Sequence, residues 1–138
     1  MNARFIEYKL SADTDVTSGS KILFNTKRTT GGDGVSVSNG VFTLNQNCYY
    51  YIILSIDVRR GTINDSFEIN MQDSTSTNLT PADGVSKIDW NDSDFVLSNN
   101  SLIATLKYPT STYSFVFTSQ NTGRINTPMD LLIMEFYK

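Results

Sequence analysis

The most apolar segment of the chain lies within residues 40–58, Gly-Val-Phe-Thr-Leu-Asn-Gln-Asn-Cys-Tyr-Tyr-Tyr-Ile-Ile-Leu-Ser-Ile-Asp-Val. From Tyr49 to Ile56 only Ser55 is polar. A strand with one face in water alternates apolar with polar side chains, and this segment does not. We therefore predict a strand that is covered on both faces, one by the domain's own core and the other, most simply, by a second subunit.

The C-terminal segment, residues 130–137, has the same property. One face of this predicted strand carries Leu132, Met134 and Phe136, and the other carries Leu131, Ile133 and Tyr137. It is the second strand for which the sequence predicts two apolar faces.

The rest of the chain consists of short alternating segments separated by polar, glycine-containing or proline-containing turns. Alternation predicts one apolar face for each of three segments: Ile6, Tyr8 and Leu10; Phe67, Ile69 and Met71; and Tyr113, Phe115 and Phe117. Asn39-Gly40 between two alternating segments predicts a tight hairpin. No segment has a helical apolar period. We predict one all-β domain over residues 1–138, a jelly-roll β-sandwich of about ten antiparallel strands.

Composition argues against two classes of protein. The net charge of −3 and the pI of about 4.7 are unlike those of nucleic-acid-binding domains, which usually carry basic patches. No run approaches the ~18 apolar residues of a membrane span. The first ten residues lack an apolar core, so we predict neither membrane insertion nor a secretory signal.

Few residues are available for catalysis or metal binding. The chain has no histidine, which removes Ser-His-Asp triads, Cys-His pairs and the usual zinc sites. The single cysteine, Cys48, cannot form an intrachain disulfide. We expect a non-enzymatic protein with no catalytic residues, metal or cofactor, although a pair of carboxylates in a cleft remains formally open.

The densest acidic cluster, residues 89–94, reads Asp-Trp-Asn-Asp-Ser-Asp and predicts a solvated loop. It lacks the glycine and the terminal glutamate of a helix-loop-helix calcium site, so no metal is assigned. Trp90, the one tryptophan, either packs inside or stacks on a sugar ring. The candidate ligand or receptor contacts are Trp90, Asp89, Asn91, Asp92 and Asp94.

A longer motif resembles a known superfamily. Gly40, Phe42 and Thr43 are followed, after six residues, by Tyr50-Tyr51-Ile52, and Ile22-Leu23-Phe24-Asn25 lies upstream. The spacing is similar to the G-x-F-T and Y-Y-F motif of the TNF-like superfamily, which includes the globular heads of complement proteins. The chain departs from it at Cys48, where the family has glycine, and lacks both the Ser-Gly-Phe of the last strand and a collagen stalk.

The resemblance implies a ten-stranded jelly roll that forms a homotrimer through the sheet containing the Tyr-rich strand and the last strand. Combined with alternation, it predicts that Tyr50, Ile52, Leu54 and Ile56 fill the sandwich. The residues predicted at the trimer interface are Tyr49, Tyr51, Ile53, Leu131 and Ile133. A monomer whose own loops cover this face is the alternative.

Stand-alone trimeric jelly rolls of this kind resemble phage and viral components. We expect a virion structural protein, such as a capsid decoration, head fibre, spike or tail-needle knob, found in the virion or outside the cell after lysis. Its partners would be other virion proteins and a host surface glycan or protein, contacted through residues 29–34, 72–84 and 90–94. The alternatives are a carbohydrate-binding module or a secreted TNF-like trimeric ligand.

Overall fold

The chain forms two antiparallel sheets that pack face to face. The computed structural model describes residues 2–10, 14–16, 18–24, 26–29, 34–56, 67–91, 96–99, 101–119, 123–125 and 129–138. The strands are β1 Asn2–Leu10, β2 Thr14–Val16, β3 Thr26–Thr29, β4 Ser36–Ser38, β5 Val41–Thr43, β6 Tyr49–Ile56, β7 Phe67–Gln72, β8 Ile88–Asn91, β9 Val96–Asn99, β10 Ser101–Lys107, β11 Thr112–Ser119, β12 Gly123–Ile125 and β13 Met129–Tyr137.

One sheet has five strands in the order β10-β6-β13-β1-β3, and the other has six in the order β4-β5-β11-β7-β8-β9. A two-stranded ribbon pairs β12 with β2. Every pairing is antiparallel. Among the described residues the helical element is a single 3-10 turn, Pro81–Asp83, and none of these residues belongs to a helix able to cross a membrane. The prediction of an all-β, antiparallel jelly-roll sandwich is confirmed.

The core lies between the sheets and is largely aromatic. Phe42 makes edge-to-face contacts with Tyr8, Phe24 and Phe115 at centroid distances of 5.1, 5.9 and 5.7 Å. Such pairs add about 0.5–1.5 kcal/mol beyond simple burial. The three apolar faces predicted from alternation are all buried here.

The tight hairpin between β4 and β5 forms at Asn39-Gly40, as predicted. Both residues have positive φ, 51° and 78°, and Ser38 pairs with Val41 across the turn. Two positive φ values suit the right-handed twist of the flanking strands, and asparagine and glycine adopt them at the lowest cost.

Residues 73–87 join β7 to β8 of the six-stranded sheet and contact the edge of the five-stranded sheet on the way. The Leu79 N–H donates to the Met71 carbonyl at 2.8 Å, which holds the segment against β7. The Ser86 N–H then donates to the Ile103 carbonyl at 2.9 Å, which adds the segment to the free edge of β10. The connection therefore covers this edge of the sandwich.

Candidate functional site

Strand β6 lies inside the five-stranded sheet with its two faces in different surroundings. Tyr50, Ile52, Leu54 and Ile56 are buried in the core, as the alternation predicts. Tyr49, Tyr51 and Ile53 point to the other side of the sheet and are only half-buried. The outer face of the sheet is therefore apolar where β6 crosses it.

Strand β13 pairs with β6 in a register that corrects part of the predicted interface. Leu131 and Ile133 pair with Leu54 and Ile52, and both are 1% exposed. Because directly paired residues project to the same face of a sheet, they belong to the core. The prediction that Leu131 and Ile133 face outward is wrong, since the register with β6 fixes the opposite phase.

The other face of β13 takes their place on the outer side. Leu132, Met134 and Phe136 pair with Ile53, Tyr51 and Tyr49 and are half-buried. Strands β1 and β10 extend the surface with Phe5, which is 48% exposed, and Ile103, which is 39% exposed. We call this surface the apolar face; its members are Phe5, Tyr49, Tyr51, Ile53, Ile103, Leu132, Met134 and Phe136.

Charged groups border one side of the apolar face, and an exposed tyrosine borders another. Lys9 and Asp130 form an exposed ion pair at 3.4 Å, of a kind that adds little stability. Near them a shallow depression of about 420 Å³ is lined partly by Glu7, Ile53 and Leu132. On another side Tyr108, which is 50% exposed, packs against Tyr49 with ring centroids 4.7 Å apart. An apolar centre with a polar rim is the usual anatomy of a protein–protein interface.

A buried carboxylate lies on the core face of β13. Glu135 is 1% exposed and accepts a hydrogen bond from the Tyr50 hydroxyl at 2.5 Å. It also accepts the Gly34 N–H at 3.1 and 3.2 Å and one from the Arg4 guanidinium at 3.3 Å. The Tyr50 oxygen in turn accepts the Asn45 N–H at 2.8 Å. The network ties two loops to the five-stranded sheet.

The surroundings of this network favour the neutral forms of the Tyr50 phenol and the Cys48 thiol. Burial, reinforced by the hydrogen bond to Glu135, raises the pKa of the Tyr50 phenol above its ordinary value. Burial also raises the pKa of the Cys48 thiol, with a further contribution from the charge of Glu135. Both groups therefore keep their protons at neutral pH.

Close packing makes Gly34 the residue that fits at this point. A Cβ there would lie 2.9 Å from both the Glu135 Oε2 atom and the Asn45 Cβ. Nothing predicted from the sequence included this network. One feature of the sequence could have indicated it: Glu135 has the same alternation phase as Met129, Leu131 and Ile133. A glutamate on a buried strand face needs hydrogen-bond or ion-pair partners.

The predicted ligand-contact cluster is only partly described. Asp89, Trp90 and Asn91 belong to β8, whose backbone pairs with β7 and β9, so the prediction that the cluster is a loop is wrong for these three. Asp89 is half-buried. The side chains of Trp90 and Asn91, and residues Asp92 and Asp94 altogether, lie outside the described part of the chain.

The other two predicted contact segments also differ in how much can be placed. Residues 73–84 are described and mostly exposed, with an Asp73-centred turn followed by the 3-10 turn. Of residues 29–34, positions 30–33 lie outside the described part. Across the residues that the structure describes, no group of three or more Cys, Asp or Glu side chains is arranged to hold a metal ion.

Comparison with known proteins identifies the fold. No protein-family model matches the chain, and no curated protein matches it. The globular domain of zebrafish complement 1qA protein matches with a TM-score of 0.52 at 11% identity, over 97% of this chain and 96% of the other. The chain has the jelly-roll fold of a complement globular head. This agrees with the TNF-like resemblance of the sequence, and at such low identity it concerns the fold alone.

Proposed function

We propose that this protein is a non-enzymatic structural subunit that forms a homotrimer through the apolar face. The observation that carries the proposal is that eight apolar residues from four adjacent strands form one continuous outer surface on a single subunit. Contiguous patches of this kind on soluble proteins usually mark an interaction site.

The size of the apolar face suits such an interface. Four strands about 4.8 Å apart and about eight residues long at ~3.3 Å per residue give a face of roughly 500 Å². A stable interface buries about 800 Å² on each partner, so the face with its rim is of the right order. The TNF-like resemblance favours three-fold over two-fold assembly.

We further propose that the trimer is a virion component, such as a decoration, fibre, spike or knob, that contacts a host surface through its end loops. The support is the trimer expected from the resemblance, the richness of the chain in Ser, Thr and Asn, and a chain without histidine. The exposed segment at residues 73–84 is a candidate contact, because loops held on a rigid sheet commonly carry binding residues.

The virion role is tested by labelling. Antibodies raised against the purified protein are applied to virus or phage particles from its source, and binding of the fluorescent protein to host cells is measured in parallel. Regular labelling of particles and saturable binding to cells are expected. If neither particles nor cells are labelled, the virion role is contradicted. The trimer is tested separately, by the native mass in solution.

A further inference from the structure

The six-stranded sheet carries a groove on its outer side, away from the apolar face. Strand β7 forms its floor, and segments around residues 78–81 and 85–89 form its walls. Its volume is about 560 Å³, within the range of small-molecule sites. Backbone hydrogen bonds to β7 and β10 hold both walls in place.

The floor of the groove contains a buried amide, Asn70, which is 6% exposed. Its Nδ2 donates to Glu68 Oε2 at 3.2 Å, and because a carboxylate only accepts, this bond fixes which amide atom is which. No described residue donates a hydrogen bond to the remaining atom, Oδ1. The atom is not closed off from solvent, so a donor that enters the groove can reach this acceptor in place of water.

The walls beside Asn70 are apolar. Val85 is 1% exposed, Leu79 is half-buried against the core, and Pro81 lines the same groove. These side chains suit a methyl or methylene group and leave few polar atoms for it to desolvate. The groove thus offers one fixed acceptor next to a small apolar surface.

The charges around the groove disfavour an anionic ligand. Lys87 is already paired with Glu68 at 2.7 Å, and the hydrogen bond from Lys87 lowers the pKa of the Glu68 carboxyl. Asp89 adds a second carboxylate to the wall. With one paired cation and two acids, the site repels phosphates and carboxylates and accepts neutral ligands.

We propose that this groove binds the acetamido group of a neutral N-acetylated amino sugar. The acetamido N–H donates to Asn70 Oδ1, its methyl group packs against Leu79 and Val85, and the sugar hydroxyls reach the hydroxyls of Thr80 and Ser86. Binding at a host surface glycan would deepen the proposed attachment role. The groove lies within one subunit, so a failure of this binding and a failure of the trimer are separate results.

The test is ligand-observed saturation-transfer NMR on the full chain with N-acetylglucosamine, with glucose as the sugar lacking the acetamido group. N-acetylglucosamine is expected to bind with a dissociation constant on the order of millimolar, with the strongest transfer at its acetyl methyl. Glucose is expected to bind at least about tenfold more weakly. Equal responses to both sugars, or none at tens of millimolar sugar, would overturn the proposal.

Variants localise the binding. Asn70→Leu removes the acceptor and is expected to weaken binding about tenfold, the effect of one buried hydrogen bond. Asn47→Leu makes the same change at an exposed asparagine and should leave affinity unchanged. Should Asn70→Leu not fold, the wild-type Asn70 side-chain amide signals must shift on titration, and their failure to shift refutes the proposal.

A peptide amide is the competing occupant. N-acetylglycine N-methylamide presents the same N–H and methyl group without a sugar ring. Weaker binding of this compound than of N-acetylglucosamine supports the sugar, and tighter binding would assign the groove to a peptide and overturn the carbohydrate proposal.

Discussion

Replacing Glu135 by glutamine tests the buried network with little change in side-chain volume. The carboxylate accepts from Tyr50, Gly34 and Arg4, whereas a glutamine has one acceptor oxygen and an NH₂ group that cannot accept. Tyr50 and Gly34 both donate to Oε2, so a glutamine oxygen at that position keeps both bonds, but only as bonds to a neutral acceptor. The NH₂ group then lies at the Oε1 position and faces the Arg4 guanidinium, which it cannot accept from.

The expected cost follows from these contacts. A hydrogen bond to a charged group contributes about 1.5–3 kcal/mol, and weakening two of them by loss of the charge gives about 3 kcal/mol. The ion pair with Arg4 adds little, because the Arg4 side chain is 33% exposed and water screens it. We expect Glu135→Gln to lower the unfolding free energy by about 3 kcal/mol, out of a total on the order of 5–15 kcal/mol.

The assay is urea unfolding followed by circular dichroism, at one fixed protein concentration because assembly makes stability concentration-dependent. Glu7→Gln, the same change at an exposed position of β1, is the control and should shift stability by less than about 0.5 kcal/mol. A Glu135→Gln variant within about 1 kcal/mol of wild type would refute the reasoning that this carboxylate holds the loops in place.

Three further predictions follow from the same structure. Phe5→Ser removes about 100 Å² of apolar surface from the proposed interface, since Phe5 is 48% exposed and its side chain has about 200 Å². At ~25 cal/mol per Å² the change should weaken assembly by about 2 kcal/mol per subunit, measured by sedimentation velocity. Leu23→Ser is the control and should leave assembly unchanged, because Leu23 is 56% exposed but lies outside the five-stranded sheet. Gly34→Ala should destabilise by about 1–3 kcal/mol in thermal unfolding, because its methyl group displaces a buried carboxylate; an unchanged melting temperature would contradict the close packing. The unfolding free energy should fall above about pH 10 by up to about 1.4 kcal/mol per pH unit. The pKa of Tyr50 is raised in the native state, so the native phenol keeps its proton there while the unfolded phenol loses it; below about pH 10 this contribution is intact. Tyr50→Phe, though less stable overall, should show a shallower decline at alkaline pH.

The sequence predicts the sandwich well because period-two alternation is a local property of each strand. In β6 the single polar residue, Ser55, and the aromatic neighbours mark the phase, and Tyr50 and Ile52 are buried as expected. The Asn39-Gly40 hairpin is likewise decided by two residues with positive φ.

The phase of β13 could not be predicted in the same way. Both of its faces are apolar, so alternation separates two sets of residues without saying which set is inward. The choice depends on the pairing of Leu131 with Leu54, a contact between residues far apart in sequence. Glu135 compounds the difficulty, since its burial depends on donors from Arg4 and Gly34 in two other segments.

In the acidic cluster, strand pairing outweighs the local composition, which predicts a loop. Asp89-Trp90-Asn91 has the polar character of a loop, yet its backbone pairs with β7 and β9. Among the side chains of this strand that the structure describes, Ile88 is the buried apolar one, and a single such residue does not indicate a strand. The groove at Asn70 was also invisible in the sequence, because the distant segments at residues 78–81 and 85–89 create it.

The native mass in solution tests the central claim, assembly through the apolar face, most directly. Size-exclusion chromatography with light scattering at a few micromolar should give a mass close to three times the 15.4 kDa of one chain, and Ile53→Glu should convert the species to a folded monomer. A wild-type mass of one chain would contradict the account, because the apolar face would then be stable in water without a partner.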